Sequence, residues 1–416
     1  MKIEYSKDIA QPPAHLDLKF FEDVIENALR QSTFKIHKIH FSMGSKTGEN
    51  YCSEIYRVQI TYSGNNCEKL KNLSLIIKSM LQTEATDFLI DLDVYIKEKV
   101  MYRDILPRLE MLLPDGAKFG ARLYFSLKEP IKTLVFEDLC DKGFEVASRE
   151  SGLDVAHARL VLQKLAQFHA TSMVLAKKDP EIMESFHSGL LGRSAIDREN
   201  SMLLRYFGGE AEALVDAVSQ WQGYEKITQK LKTYVANLRD NLSRCQDPIP
   251  NEIKVLNHGD LWVNNMLFKY DKQRTPQDIA FIDLQMSIWS SPGIDLNYFF
   301  YTSLRLDVLK HKREELLMAY HSSLCSTLQK LNYLNIPSYQ QIKQEVKKRT
   351  PYGFFAQFGI YPTISMDKDI SADNSLDSFN DEEFAKTRLK QMFSSKRLEE
   401  MMKYTLIEFD QMKILD

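Results

Sequence analysis

Between positions 255 and 285 the chain reads VLNHGDLWVNNMLFKYDKQRTPQDIAFIDLQ, and the arrangement of this segment limits the folds open to the whole. A short apolar entry (Ile253, Val255, Leu256) leads into a polar turn and then Met266-Leu267-Phe268. After a charged turn, a second apolar run, Ile279-Ala280-Phe281-Ile282, ends on Asp283. Two short apolar runs around a turn predict a small hairpin, with Asp260 and Asn265 on its leading loop and Asp283 at its far end. Two acids and an amide converging at strand ends form an oxygen-ligand and base set suited to magnesium-assisted phosphoryl transfer. In that chemistry one Asp accepts the proton of the attacking hydroxyl, while the Asn and the other Asp hold the cation that bridges the phosphates. The competing reading of the segment alone is a surface turn that uses Asp and Asn as turn formers.

The rest of the chain sets bounds. Its 416 residues suffice for two lobes, each with a core. A net charge of -3 argues against a surface that coats nucleic acid, though a local basic pocket stays compatible with it. No run approaches the roughly 18 apolar residues of a membrane span, and the first residues lack the apolar stretch of a secretory signal. The five cysteines are odd in number and scattered without a CxxC pair, which predicts reduced thiols in a cytoplasmic setting over disulfides or zinc.

Upstream, residues 16–30 carry apolar side chains at helical spacing, and residues 34–41 alternate as a strand does. The segment 42–51 contains Gly44, Ser45, Gly48 and Asn50 and precedes a strand over 55–62. Strand, glycine-containing turn, strand is the layout of a loop that folds over nucleotide phosphates. A plain hairpin turn fits the segment equally well. It is not a Walker A loop, since no Lys-Ser or Lys-Thr follows the last glycine and a strand comes next. A buried strand over 73–80 ends near Lys78. A lone lysine at a strand end is usually a solvated edge residue, but its place after two strands and before a helix suits the lysine that contacts the alpha and beta phosphates. A helix is predicted over 88–111 and strands over 121–127 and 132–139. From residue 153 the pattern turns helical, and His157 and His169 read as packing histidines. The aromatic helices of 180–242 are candidates for lining an acceptor pocket, with plain core packing the stronger reading for any one residue. Further helices are predicted over 297–331, 339–357 and 384–412, with a polar, acidic loop at 371–383.

His258-Gly259-Asp260-Leu261-Trp262-Val263-Asn264-Asn265, followed by Ile282-Asp283, resembles the aminoglycoside and choline phosphotransferase group, and within it the ecdysteroid-kinase-like family. The resemblance implies a two-lobed, protein-kinase-like α+β fold. Its N-lobe (1–138) would hold an antiparallel sheet with helices, and its C-lobe (139–416) would be mainly helical with a small catalytic hairpin. It implies ATP and Mg2+ as cofactors, Asp260 as base, and Asn265 and Asp283 as metal ligands. Glu98, in Tyr95-Ile96-Lys97-Glu98-Lys99-Val100-Met101-Tyr102, takes the family's role of pairing with the strand lysine. Glu137, Asp138 and Leu139 lie where the chain crosses between lobes and would meet adenine through main-chain atoms, their side chains mattering little. His258 would support the loop, and Asp295 would brace its backbone.

Leu284-Gln285 stands where protein kinases have Phe-Gly, and no activation segment follows, so protein substrates are not expected. The implied acceptor is a small hydroxylated lipophile, such as an ecdysteroid or a foreign alcohol or phenol being detoxified. A choline- or ethanolamine-like amino alcohol, and a nucleotide-binding pseudokinase, stay open at this point. A metal-dependent phosphohydrolase is disfavoured because no HxH or paired HD set accompanies His258 and Asp260.

Overall fold

The computed structural model describes residues 2–7, 9, 13–30, 33–45, 53–64, 67–81, 92–114, 116–366 and 382–416, the side chains of 67–68 and 382–385 excepted. The chain begins with β1 (Lys2–Tyr5), α1 (Leu18–Leu29), β2 (Phe34–Met43), β3 (Ser53–Gly64) and β4 (Cys67–Met80). It continues through α2 (Val94–Val100), a π-helical turn (Met101–Ile105), α3 (Leu106–Met111), β5 (Leu123–Leu127) and β6 (Thr133–Glu137). These strands form one six-stranded sheet in the order β1-β2-β3-β4-β6-β5. All neighbours are antiparallel except the edge strand β1, which runs parallel to β2.

Side chains alternate between the two faces of a strand, and the sheet uses this to make two different surfaces. Val58, Ile60, Leu75 and Ile77 point toward α1 and close a core with Phe20, Phe21, Val24 and Ile25. Ile55, Arg57, Ile76 and Lys78 occupy the intervening positions and line a cleft on the opposite face. The helical start of α1 is fixed by Asp17, whose side chain accepts from Phe20 N at 2.9 Å and so satisfies a free amide of the first turn.

After β7 (Phe144–Val146) the chain is mainly helical, with α4 (Val155–Lys178) and α5 (Met202–Ser219) preceding the segment 255–290. That segment supplies β8 (Val255–Asn257), β9 (Met266–Tyr270), β10 (Pro276–Phe281) and β11 (Ile288–Ser290). The predicted hairpin is present: β9 and β10 are antiparallel, with β7 on the other side of β9. The apolar entry forms a separate two-stranded pair, β8 with β11. Then follow α6 (Gly293–Ser303), α7 (Leu306–Lys330), α8 (Tyr339–Lys348), α9 (Thr350–Gly359), α10 (Glu382–Phe393) and α11 (Lys396–Gln411).

Several expected bounds change. The helix expected over 88–111 is described from Val94 and is interrupted by the π turn, while 88–91 lie outside the described residues. The run 297–331 breaks at Leu304, whose backbone is extended. The last helix divides before Ser395, whose hydroxyl caps Leu398 N and starts a new helix. Of the loop expected at 371–383, residues 371–381 lie outside the described residues, and 382–383 open α10.

Candidate active site

The segment 255–290 turns sharply at Gly259, whose φ is +83°. A Cβ there would lie 2.0 Å from Met286 O, so only glycine allows the loop to press against the chain beyond the hairpin. His258 is buried, and its two ring nitrogens have different partners. Nε2 lies 2.9 Å from Ile282 O, an acceptor, and Nδ1 lies 3.3 Å from the amide of Asp260, a donor. Those partners suit a ring whose Nε2 donates and whose Nδ1 accepts. His258 therefore ties the loop to the end of β10 through its ring.

Asp295, the third residue of α6, is wholly buried and accepts from both amides at the turn. His258 N donates to Oδ2 at 2.7 Å and Gly259 N to Oδ1 at 2.9 Å. His169 of α4 adds a third contact, Nε2 to Asp295 Oδ2 at 3.1 Å, while its Nδ1 accepts from Tyr320 at 2.8 Å. Burial lowers the pKa of His169 against the pull of Asp295, which keeps the imidazole neutral. His169 packs in a helix as the sequence indicates. Its link to Asp295 joins positions 126 apart in the chain, and no local pattern reports such a link.

Asp260 stands half-buried at the cleft wall. Tyr298 of α6 donates to its Oδ1, and Asn265 Nδ2 donates to its Oδ2 at 2.9 Å and to its main-chain oxygen at 2.8 Å. Since both oxygens facing Asn265 only accept, the group turned to them is the NH2, and the carboxamide oxygen points away from the acid. Burial raises the pKa of Asp260, the nearby Asp283 charge adds to the rise, and the Tyr298 and Asn265 hydrogen bonds oppose it.

Asp283 adopts a left-handed backbone (φ +61°) directly after the hairpin. Its Oδ1 lies 2.7 Å from Lys78 Nζ, which also lies 2.8 Å from Glu98 Oε2. Lys78, Glu98 and Asp283 thus meet from a strand, a helix and a hairpin end. Burial acts to lower the Lys78 pKa, but the two carboxylates outweigh it and hold the ammonium charged. Burial pushes Glu98 up to about 7 against the attraction of Lys78, since two acids share one cation. Gln285, unremarked in the sequence as a contact, approaches Lys78 at 3.4 Å through Oε1.

Gly44, Ser45, Lys78, Glu98, Glu137, Asp138, Leu139, Asp260, Asn265 and Asp283 all line one cleft of about 1320 Å³. Gly48 and Asn50, the other half of the expected phosphate loop, lie outside the described residues. At the crossing segment, part of the main chain is already engaged. Glu137 N donates to Arg122 O at 2.9 Å, and Leu139 O accepts from Lys142 and Phe144 amides at 3.0 and 3.1 Å. The side chain of Asp138 is engaged within the protein. Its buried carboxylate accepts from Arg57 Nε (2.9 Å), Ser74 Oγ (2.8 Å) and Cys140 N (3.0 Å), because a buried charge must have its lone pairs satisfied.

Away from Lys78 and Asp283 the cleft wall is mixed: Leu203 and Phe207 of α5, Ile360 and Ile364 beyond α9, and Leu389 and Phe393 of α10 stand beside Arg205, Glu212, Asp216, Lys386 and Lys390. Of the aromatic side chains in 180–242, Tyr206 and Phe207 face the cleft, whereas Phe186 is wholly buried and Tyr234 packs on Phe354 at 4.9 Å between ring centres. Among the described residues no group of three His, Cys, Asp or Glu side chains forms a cation cage. The Asp283 carboxylate and the outward carboxamide oxygen of Asn265 are hard oxygen donors beside the cleft. That donor set fits magnesium, which keeps several waters and takes further oxygens from phosphates.

An α+β chain of two lobes, with a lysine–glutamate pair in the sheet lobe facing an Asp–Asn–Asp set on a hairpin, has the form of a kinase-like protein. The chain belongs to the ecdysteroid kinase-like family, whose model matches residues 47–333. Among curated proteins none matches this sequence. Among solved structures, a glucosamine kinase in complex with glucosamine, ADP and inorganic phosphate is similar at 12% identity and a TM-score of 0.31, over 83% of this chain and 82% of that one. Among the described residues no helix is long and apolar enough to cross a membrane.

Proposed function

We propose that this chain is an ATP-dependent small-molecule O-phosphotransferase that moves the γ-phosphoryl group of ATP to a hydroxyl of a lipophilic acceptor, an ecdysteroid or a foreign alcohol or phenol. The observation that carries the reading is the meeting of Lys78, Glu98 and Asp283 in the cleft that also holds Asp260. In this reading the lobes divide after residue 138. Lys78, oriented by Glu98, neutralises phosphate oxygens. Asn265 Oδ1 and the Asp283 carboxylate hold magnesium, which would offset charge on the phosphates. Asp260 accepts the proton of the acceptor hydroxyl as its oxygen bonds to the γ-phosphorus and the bond to the ADP oxygen breaks. Asp295 and His258 hold the loop that carries Asp260 in place, and the apolar side chains of α5 and α10 receive the body of the acceptor.

The test has two parts. A thermal shift with ATP should require magnesium for its full size, and ADP release should rise with some member of a pool of steroids, phenols and amino alcohols, with mass detection of the added phosphate. Asp260→Asn should abolish transfer while ATP binding stays within a few-fold, because the clamp on the phosphates does not use the base. Full activity in that variant would remove Asp260 from the chemistry, and nucleotide binding without transfer to any acceptor would leave a binding protein.

A further inference from the structure

Arg57 has no part in the chemistry above, yet it occupies a place in the cleft that the alternation of the sheet makes specific. On the cleft face of β3 and β4 two cross-strand pairs lie side by side, Ile55 opposite Lys78 and Arg57 opposite Ile76. The second pair is displaced from the first by two residues along the strands, about 7 Å. It is displaced toward Asp138 and the crossing segment: Phe136, the partner of Ile76 on β6, lies two residues before Asp138 and also lines the cleft.

The Arg57 side chain is held there by one edge. Its Nε donates to Asp138 Oδ2 at 2.9 Å, and Asp138 is itself fixed by Ser74 and by the Cys140 amide. Among the described residues no hydrogen bond engages the terminal nitrogens of Arg57, and the side chain is 32% exposed while its partner carboxylate is 3% exposed. Holding Nε fixes the plane of a guanidinium, since the group is flat and delocalised. A flat cation with an open face, beside Ile76 and one nucleoside's reach from the phosphate-binding lysine, is a surface for an aromatic ring.

We infer that Arg57 is a nucleotide-binding residue that stacks its guanidinium on the purine base, with Asp138 setting the plane of the stack. The inference rests on the proposed reading of Lys78 as the phosphate end of the cleft. It assigns affinity to the nucleoside and not to the phosphates, so the two contributions separate by ligand.

The experiment is calorimetric titration of the whole chain with MgATP, MgADP and adenosine. Arg57→Ala should weaken all three by a similar factor, roughly ten-fold. Arg57→Lys keeps a cation beside Asp138 but lacks the flat face, so it should fold as the wild type does and still bind all three weakly. Thermal melts without ligand separate loss of fold from loss of binding. A loss limited to the phosphorylated ligands, full recovery in the lysine variant, or wild-type affinity in both variants would each overturn the inference and leave the kinase reading standing. Binding of MgATP by the wild type with no binding of adenosine at millimolar concentration also overturns it. A wild-type chain that binds neither ligand refutes the kinase reading itself.

Discussion

Replacing Asp295 by Asn tests whether the buried carboxylate holds the turn at Gly259. The native group accepts from three donors, His258 N at 2.7 Å, Gly259 N at 2.9 Å and His169 Nε2 at 3.1 Å, with no exposed surface. A carboxamide of the same shape offers one oxygen and one NH2, so whichever way it turns, at least one main-chain amide faces another donor. Loss of one hydrogen bond to a charged acceptor costs about 1.5–3 kcal/mol, and leaving a buried amide unsatisfied costs about 1–3 kcal/mol more. The sum is roughly 3–5 kcal/mol once overlap between the two is allowed for. Urea unfolding followed by tryptophan fluorescence reads this directly, since Trp262 lies in the loop and Trp289 lies on β11 beside it. The midpoint should fall by an amount that corresponds to that range at an unchanged denaturant slope. A shift worth less than about 1 kcal/mol would show that the amides are satisfied otherwise and that Asp295 is not what fixes the turn.

Tyr298→Phe removes one of the two side-chain donors on Asp260 and leaves Lys78, Glu98 and Asp283 untouched. Its kcat should fall about ten-fold with nucleotide affinity unchanged, the size expected for a hydrogen bond to a charged group; equal losses in kcat and nucleotide binding would contradict it. Burial holds Glu98 at about 7, above its ordinary value of 4.5, so the fold favours its protonated form. Its contribution to stability is therefore full below pH 4.5 and is lost as the pH rises through about 7. The melting temperature of the nucleotide-free wild type should fall over that window more steeply than that of Glu98→Gln, and parallel curves would show that Glu98 does not titrate there.

The residues that the structure brings to one cleft from a short stretch were legible: Asp260 after His258-Gly259, Asn265 on the same loop, Asp283 at the end of an apolar run. The hairpin was legible for the same reason, because two apolar runs joined by a charged turn have few other uses. Partners set by packing were not legible. Asp138 reads as one acid in a crossing segment, and nothing local to it indicates that Arg57, 81 positions earlier, will reach its carboxylate. Tyr298 lies in a helix whose residues are all buried, so its phenol was hidden among ordinary core aromatics. The break at Leu304 has neither Gly nor Pro to announce it; it is made by tertiary contact, since Leu153 N and Arg305 N exchange hydrogen bonds with Ser303 O and Leu153 O. The edge strand β1 escaped notice because four residues carry too little pattern to stand out.

The placement of α6 explains how so polar a loop is held. Asp295 and Tyr298 are three residues apart and so share a face of the helix. One takes the amides at the start of the turn and the other takes the acid two residues on, so a single helical turn sets both the path of the backbone and the direction of the Asp260 carboxylate. All eleven residues of α6 are buried, and Gly293 at its start admits α8 so closely that a Cβ would stand 2.4 Å from Glu345 O. The helix cannot slide without opening that contact, and the loop cannot move without leaving the helix. Geometry that a surface loop would have to regain at each substrate encounter is held here by the core, as pre-organised chemistry requires. Substitutions on the buried face of α8 should then reach turnover through α6, although none of its side chains lines the cleft.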